Sequence, residues 1–229
     1  MKIDTAFILC AGYGKRLNPI TLSKPKPLIE IKDKTLLSHT LDLACSIGIN
    51  NIKINSFYLS KQIFNFVQNS KFKRKVEIIN DGNEILDTGG GIKNMTKYTI
   101  EDNFLVFNPD TLWDDSYKNT IIEMISFYEK KNLNNLLLVT NKNCSFDKNL
   151  KGDFNLKNSK LLREKQNQYI YTGLQILNKN LFDGFEKEKF SMNLIWDREI
   201  KKNNLNGFES HQKFLHLTDI KIYDAIIKK

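Results

Sequence analysis

Short, continuous apolar segments alternate with amphipathic ones along the first 140 residues of the chain. Residues 5–10 (TAFILC) form an apolar run closed by glycines, the pattern of a strand buried on both faces. Strands are also predicted for residues 52–56, 76–80, 104–108 and 136–140. Apolar residues at helical spacing predict helices at residues 37–47, 61–68 and 117–131, with Gly48 as the cap of the first. This alternation predicts an α/β fold with a mostly parallel, Rossmann-like sheet flanked by helices on both faces.

The pattern changes after about residue 140. Residues 141–172 are polar and lysine-rich with short strand-like pieces, and an apolar segment returns at residues 171–177. A last helix is predicted for residues 219–229. Because no linker rich in proline, glycine and serine intervenes, we interpret residues 1–229 as a single domain. Its core spans residues 1–140, and residues 141–229 add a small lobe and the last helix.

The net charge of +9, from 35 basic and 26 acidic residues, invites the hypothesis of a nucleic-acid partner. The lysines are scattered, however, and the sequence shows neither a basic stripe interleaved with aromatics nor a zinc-finger or helix–turn–helix signature. We therefore predict no nucleic-acid partner. The charge is attributed to a bias towards Lys, Asn and Ile, together with a surface suited to small polyanions.

Apolar segments and cysteines bear on the location of the protein. No stretch approaches the roughly 18 to 20 apolar residues of a membrane-spanning helix, which predicts no membrane partner. The apolar run at residues 6–10 is too short for a signal peptide. Cys10, Cys45 and Cys144 lie far apart, and such an odd, sparse set favours a reducing compartment. A cytoplasmic location is the expectation.

The glycine-rich segment after the first predicted strand carries the strongest chemical signal. Gly12 and Gly14 let backbone N–H groups approach a triphosphate, and the guanidinium of Arg16 can pair with phosphate oxygens. Lys26 stands between two prolines that fix the local backbone, and we expect it, like Arg16, to be solvent-accessible in the empty protein. Leu17 occupies the third glycine position of the dinucleotide fingerprint and no Gly-Lys-Ser/Thr follows, so neither that motif nor a Walker loop is present.

This region resembles the sugar-phosphate nucleotidylyltransferases. A strand followed by L-x-A-G-x-G-x-R-L/M-x-P and then by P-K-P is similar to the family signature. The similarity is greatest to the compact bacterial branch that includes N-acetylmuramate 1-phosphate uridylyltransferase and mannose 1-phosphate guanylyltransferase-like proteins. It implies the nucleotide-diphospho-sugar transferase fold, with a nucleoside triphosphate on the core and a sugar 1-phosphate on the lobe. The implied nucleotide-binding residues are Ala11, Gly12, Gly14, Lys15, Arg16 and Lys26, of which Arg16 and Lys26 are implied to be catalytic.

A second glycine-rich segment covers residues 86–92 (LDTGGGI). Glycines before a helical stretch permit close backbone approach and an amide-lined helix start. The segment is similar to the family's L-x-T-G-G-G-I, which lies beside the nucleobase, and this implies that Thr88 and Gly89 bind the nucleotide. Asp81 and Glu84, just upstream, are weaker candidates for the same wall.

Residues 104–110 (FLVFNPD) predict an apolar strand that ends in polar residues at the carboxyl edge of the sheet, where open α/β folds bind ligands. A carboxylate there suits Mg²⁺. The resemblance implies that Asn108 contacts substrate and that Asp110 binds Mg²⁺, although Pro109 replaces the family's glycine. His216 stands where many relatives carry a second metal-binding aspartate, and imidazole is a poor Mg²⁺ ligand. Either His216 acts directly or through water, or a neighbour such as Asp219 substitutes.

The lobe carries weaker signals for the sugar phosphate. Gly152 and Asp153 look like the family's G-x-G-D-F segment, whose aspartate contacts the sugar. Lys165 partly matches the E-K-P of larger relatives, whose lysine holds the sugar phosphate, although the proline is missing. Thr172 matches the strand edge that lines the sugar pocket. These four residues are the predicted substrate-binding set of the lobe.

The predicted reaction is a Mg²⁺-assisted in-line displacement. The acceptor phosphate attacks the α-phosphorus of a nucleoside triphosphate and pyrophosphate leaves, with uridylyl or guanylyl transfer favoured. The product, a nucleotide-diphosphate sugar, is a precursor of cell wall or polysaccharide. The alternatives are cytidylyl transfer to phosphocholine or another phosphorylated alcohol, and a nucleotide-binding regulator with impaired catalysis. Both a monomer and a homodimer are compatible with the sequence.

Overall fold

A seven-stranded sheet runs through the computed structural model, which describes residues 3–228. The strands are β1 (Thr5–Leu9), β2 (Glu30–Ile31), β3 (Lys34–Thr35), β4 (Asn51–Ser56), β5 (Val76–Asn80), β6 (Asn103–Phe107), β7 (Asn135–Asn141), β8 (Asn155–Lys157), β9 (Lys160–Leu162), β10 (Tyr169–Asn178) and β11 (Gly207–Ser210). The α-helices are α1 (Leu36–Ser46), α2 (Ser60–Gln68), α3 (Asp87–Thr96), α4 (Tyr117–Lys130), α5 (Asn193–Lys201) and α6 (Ile220–Ile227). Two short ribbons, β2–β3 and β8–β9, lie outside the main sheet.

The main sheet has the strand order β11–β7–β10–β6–β1–β4–β5. Its neighbouring strands are parallel except where β10 pairs with β6 and with β7. The predicted mostly parallel sheet is therefore confirmed. Because only β10 runs in the opposite direction, the carboxyl ends of the other strands lie along one edge, together with the first residues of β10.

Helices cover both faces of this sheet, as the alternating pattern predicts. Helices α1, α2 and α4 pack on one face through apolar residues that include Leu41, Ile63 and Ile121. Helices α3 and α5 pack on the other face through Ile92 and Ile195. In residues 3–228, no helix combines the length and the apolar character needed to cross a bilayer.

Elements of the lobe differ from the sequence pattern more than those of the core. The apolar segment at residues 171–177 belongs to β10, inside the main sheet. Helix α5 was not predicted. Only Ile195, Trp196 and Glu199 are buried in it, and charged residues directly follow the two apolar positions in the sequence. The last helix begins after Asp219, whose carboxylate accepts a hydrogen bond from the N–H of Ile222, and its predicted end at Lys229 lies outside the described residues. The boundary at residue 140 stays a prediction.

A small third apolar cluster lies beside the first glycine-rich loop. Leu17, from that loop, is fully buried against a set that includes Leu112 and Leu217. Tyr223 and Ile226 of α6 pack against the same cluster. The loop is therefore anchored by residues from the end of the described chain.

The three glycines of the second motif lie inside α3 and are buried, not in front of a helix as expected. A Cβ on Gly89 would lie 2.4 Å from the Phe190 ring, and one on Gly90 would lie 2.1 Å from the carbonyl oxygen of Glu188. The N–H of Gly90 also donates to the carbonyl of Phe190 over 3.0 Å. Gly89 and Gly90 thus allow residues 188–190 to pack directly on α3.

We expect Gly90→Ala to destabilise the protein by about 2 to 3 kcal/mol, because its methyl group meets backbone that cannot rotate away. Alanine's better helix propensity offsets only about 1 kcal/mol of the clash. Urea unfolding measures the change. Gly12→Ala is the matched control, since nothing lies within 4 Å of an added Cβ there. Equal unfolding midpoints for Gly90→Ala and the wild type would contradict this packing.

Candidate active site

A cavity of about 220 Å³ opens at the carboxyl edge of the sheet, beyond the ends of β1, β4 and β6. The predicted site residues that line it are Ala11, Gly12, Gly14, Lys26, Thr88, Asn108 and Asp110. Gly89 does not line it and packs against Phe190 instead. The fold therefore brings together three motifs that are far apart in the sequence.

The glycine loop forms one wall of this cavity. Gly14 has a φ of 65°, and its carbonyl accepts a hydrogen bond from the Thr21 hydroxyl over 3.0 Å. A Cβ at Gly14 would lie 3.1 Å from that of Lys26, so glycine keeps the loop close to the lysine. Lys15 and Arg16 begin a single 3₁₀ turn and are exposed outside the cavity lining. Both can turn towards a triphosphate that extends from the cavity.

Lys26 and Asp110 form an ion pair at the floor of the cavity. Their Nζ and Oδ2 atoms are 2.6 Å apart, and the side chains are only 14% and 22% exposed. The expectation that Lys26 is freely accessible is therefore wrong, because the carboxylate holds it. Burial would raise the pKa of Asp110, but the adjacent His216 and Lys26 hold that pKa at about 2. Asp110 is thus a carboxylate throughout the physiological pH range.

His216 lies on the other side of Asp110. Its Nε2 atom is 3.7 Å from Asp110 Oδ2, and its Nδ1 atom is 3.3 Å from the Thr111 hydroxyl. Burial lowers the pKa of His216, and the charges of Lys26 and Arg16 lower it further while Asp110 opposes them. The imidazole is therefore neutral at neutral pH. The permanent cation beside Asp110 is Lys26.

The donor set fits a magnesium ion that arrives with phosphate ligands. Asp110 Oδ1 is buried and has no hydrogen-bond partner among the described residues. Within residues 3–228, no three His, Cys, Asp or Glu side chains lie close enough to hold a metal. Mg²⁺ typically takes one or two carboxylates plus phosphate oxygens and water, so Asp110 would hold it with the triphosphate. Asp219 caps α6 and does not replace the second carboxylate.

Asn55 is a site residue that the sequence analysis missed. It lines the cavity, its Oδ1 accepts from the Cys10 N–H over 2.9 Å, and its Nδ2 donates to Asp81 over 2.8 Å. Asp81 is therefore a support behind the wall, while Glu84 pairs with Lys189 on the surface. Asn55 stands at the polar end of a predicted strand. The same signal identified Asp110 and would also have identified Asn55.

The predicted sugar-binding residues lie farther along the same edge. Asp153 Oδ2 accepts a hydrogen bond from the N–H of Tyr171 over 2.9 Å, and burial raises the pKa of Asp153. The Thr172 hydroxyl is fully buried and donates to the carbonyl of Leu138, so this side chain faces the sheet and not a substrate. The neighbouring Tyr171 hydroxyl is buried without a partner in the described structure. Gly152 and Lys165 line a separate cavity.

Residues 5–145 match the model of the family described as nucleotidyl transferase. The chain belongs to this family. It is 23% identical over 221 residues to N-acetylmuramate alpha-1-phosphate uridylyltransferase of Caulobacter vibrioides, covering 93% of this chain and 91% of that protein. It is 29% identical over 220 residues to the bifunctional protein GlmU of Methanocaldococcus jannaschii, covering 89% of this chain but only half of that protein.

Solved structures agree with this assignment at the level of the fold. The crystal structure of HddC from Yersinia pseudotuberculosis superposes with a TM-score of 0.78 at 21% identity, covering 99% of both chains. Two predictions from the sequence of this nucleotidyl transferase are confirmed. One is the nucleotide-diphospho-sugar transferase fold, and the other is the sugar-phosphate nucleotidylyltransferase family.

Proposed function

We propose that this nucleotidyl transferase converts a nucleoside triphosphate and a sugar 1-phosphate into a nucleotide-diphosphate sugar and pyrophosphate. The observation that carries the proposal is the ion pair of Lys26 and Asp110 beside the Gly14 loop, in one cavity. A glycine loop that can receive phosphates therefore lies beside a lysine cation and a permanent carboxylate. Uridylyl or guanylyl transfer is favoured, because relatives are named for these two activities.

The proposed chemistry needs no nucleophilic side chain. An acceptor phosphate oxygen forms a bond to the α-phosphorus while the bond from that phosphorus to the pyrophosphate oxygen breaks. Lys26 places positive charge beside the phosphorus under attack, and the loop N–H groups at Gly12 and Gly14 bind phosphate oxygens. Mg²⁺, held by Asp110 with His216 beside it, would neutralise charge on the triphosphate. Cys10 takes no part, because burial raises the pKa of its thiol far above neutrality.

An assay of pyrophosphate release tests the proposal. Each of the four common nucleoside triphosphates is combined with a panel of sugar 1-phosphates and with phosphocholine, in the presence of Mg²⁺. We expect turnover with a sugar 1-phosphate and UTP or GTP. Turnover with CTP and phosphocholine alone would support the cytidylyl alternative instead. Nucleotide binding without pyrophosphate release from any pair would identify a nucleotide-binding regulator.

The imidazole beside Asp110 predicts a weak dependence on free Mg²⁺. We expect His216→Asp to lower the Mg²⁺ concentration for half-maximal turnover by about tenfold, since a second carboxylate restores a hard oxygen ligand. A Mg²⁺ titration at fixed nucleotide measures it. His211→Asp, at an exposed histidine, is the matched control. Equal Mg²⁺ requirements for His216→Asp and the wild type would exclude His216 from the metal site.

A further inference from the structure

A second cavity at the same edge of the sheet carries four lysines. It has a volume of about 620 Å³, larger than the nucleotide cavity, and four of its nine lining residues are Lys142, Lys148, Lys151 and Lys165. Side-chain amides of Asn143, Gln166 and Asn167 supply further hydrogen-bond donors around it. No acidic residue is among those that line it. We refer to this cavity as the lysine cavity.

Its two walls are held together by specific contacts. The Lys142 N–H donates to the carbonyl of Gln168 over 2.9 Å, and the Asp153 N–H donates to that of Tyr169 over 2.7 Å. A Cβ at Gly152 would lie 2.3 Å from the carbonyl oxygen of Asn167, so glycine permits the close approach of the two loops. The lysine cavity is thus part of the fold and does not depend on the conformations of surface side chains alone.

The charge of the lysine cavity is not neutralised by the protein. In the described part of the chain, none of the four lysines lies within 4 Å of a carboxylate. Two carboxylates of the same loops are engaged elsewhere, because Asp147 accepts from the Asn149 N–H and Glu164 accepts from Asn155. Like charges gathered in one concave site repel each other, and an anionic ligand relieves that repulsion.

The lysine cavity lies farther from Asp110 than the predicted sugar-binding residue Asp153 does. Phe107, the last residue of β6, pairs with Leu174, whereas Asn141, the last residue of β7, pairs with Tyr169, five positions earlier in β10. At about 3.3 Å per residue, β7 therefore extends roughly 10 to 15 Å past the end of β6. Lys142 follows β7 directly, so it stands well above the floor of the nucleotide cavity.

Tyr171 and Asp153 lie near both cavities without lining either of them. Burial and the nearby carboxylates of Asp110 and Asp153 raise the pKa of the Tyr171 hydroxyl well above its usual value. That hydroxyl has no partner in residues 3–228, and Asp153 directly follows Gly152 of the lysine cavity wall. A sugar held near Tyr171 and Asp153 would have its reacting phosphate towards Asp110 and its remote substituents towards the lysines.

We propose that the lysine cavity binds a second anionic group of the acceptor, a carboxylate or phosphate on the sugar remote from the reacting phosphate. This inference rests on the proposed function and narrows its substrate class to sugar 1-phosphates with one further negative charge. It also gives Lys165 a different role from the one implied by the family resemblance. Lys165 lines a cavity separate from Lys26 and Asp110, so it recognises the far end of the acceptor.

The test compares acceptors that differ in one charge. N-acetylmuramate 1-phosphate carries a lactyl carboxylate that N-acetylglucosamine 1-phosphate lacks, and glucose 1,6-bisphosphate carries a phosphate that glucose 1-phosphate lacks. For at least one pair we expect kcat/KM to be about tenfold or more higher for the charged member, through a lower KM. The ratio should fall towards one in the double variant Lys151→Gln/Lys165→Gln and with rising salt. Lys118→Gln, at an exposed lysine of α4, should keep the wild-type ratio.

The other outcomes of this test contradict the inference, the proposed function or both. Equal kcat/KM values within both pairs would overturn the inference, and so would a charged-to-uncharged ratio of kcat/KM that is unchanged in the double variant. In both cases the observed turnover would still support the proposed function. Inorganic phosphate that raises the melting temperature of the wild type but not of the double variant, without any preference for charged acceptors, would identify a free-phosphate site and also overturn it. Absence of turnover with every acceptor would overturn the proposed function and this inference together.

Discussion

Lys26→Ala is expected to lower kcat by about 10²- to 10³-fold, the usual loss when one preorganised charge contact to a transition state is removed. The reason is the position of the ammonium group, which the Gly14 loop and the flanking prolines direct into the nucleotide cavity. Pyrophosphate release at saturating substrates measures the change. Lys24→Ala is the matched control, since Lys24 is exposed and pairs with Glu30 outside the cavity. Comparable kcat values for the two variants would refute the assignment.

The same substitution is expected to lower stability as well, because it leaves Asp110 without its cation. The pair is mostly buried, so we expect a loss of about 1 to 2 kcal/mol in the free energy of unfolding. The double variant Lys26→Ala/Asp110→Asn removes the unpaired charge and should regain most of that stability while remaining inactive. Because Asp110→Asn alone is expected to reduce turnover, the double variant reports on stability only. The kcat of Lys26→Ala is therefore interpreted together with its own unfolding curve, which shows whether the variant is folded.

Asp110→Asn is expected to reduce turnover by about 10²-fold or more at any accessible Mg²⁺ concentration, because an amide cannot supply the charge that a carboxylate gives to a metal ion. A Mg²⁺ titration of pyrophosphate release measures this. Asp115→Asn, at an exposed aspartate of the following loop, is the control and should titrate like the wild type.

If Asp110→Asn shows the wild-type Mg²⁺ dependence, Asp110 does not hold the metal and the active site lies elsewhere. Binding of nucleotide without Mg²⁺, measured by calorimetry, gives an independent check. We expect that affinity to change little in Asp110→Asn, since the proposed phosphate contacts of the glycine loop and Arg16 do not require the metal. The two measurements together distinguish loss of the metal from loss of the nucleotide site.

The sequence predicts the core of this fold well because its signals are local. Strands buried on both faces read as continuous apolar runs, and β1, β6 and β7 each contain only buried residues in their central positions. Polar residues that end such strands must lie at one edge when the strands are parallel. Asp110 and the Gly14 loop could therefore be placed in one site from the sequence, and the structure brings them together.

Other features depend on contacts between distant residues, which no local pattern records. The ion pair of Lys26 and Asp110 joins residues 84 positions apart. The inward direction of Thr172 is fixed by its hydroxyl, which donates to the carbonyl of Leu138 in β7, 34 positions away. Gly89 and Gly90 of α3 are explained by residues 188–190, which pack on them, and Gly91 is explained by the side chain of Asn55. The sequence motifs located segments that the structure brings to one cavity, while the contact partner of each residue depends on the tertiary structure.

The apolar cluster around Leu17 has a consequence for the order in which the site is completed during synthesis. The ribosome makes the Gly14 loop about two hundred residues before Leu217, Tyr223 and Ile226, against which the loop packs. A nascent chain that already contains Lys26 and Asp110 still lacks the residues that anchor its Gly14 loop. We therefore expect nucleotide binding to begin only when residues 217–226 have left the ribosomal tunnel, so a nascent chain that stops before residue 217 would not sequester nucleoside triphosphate.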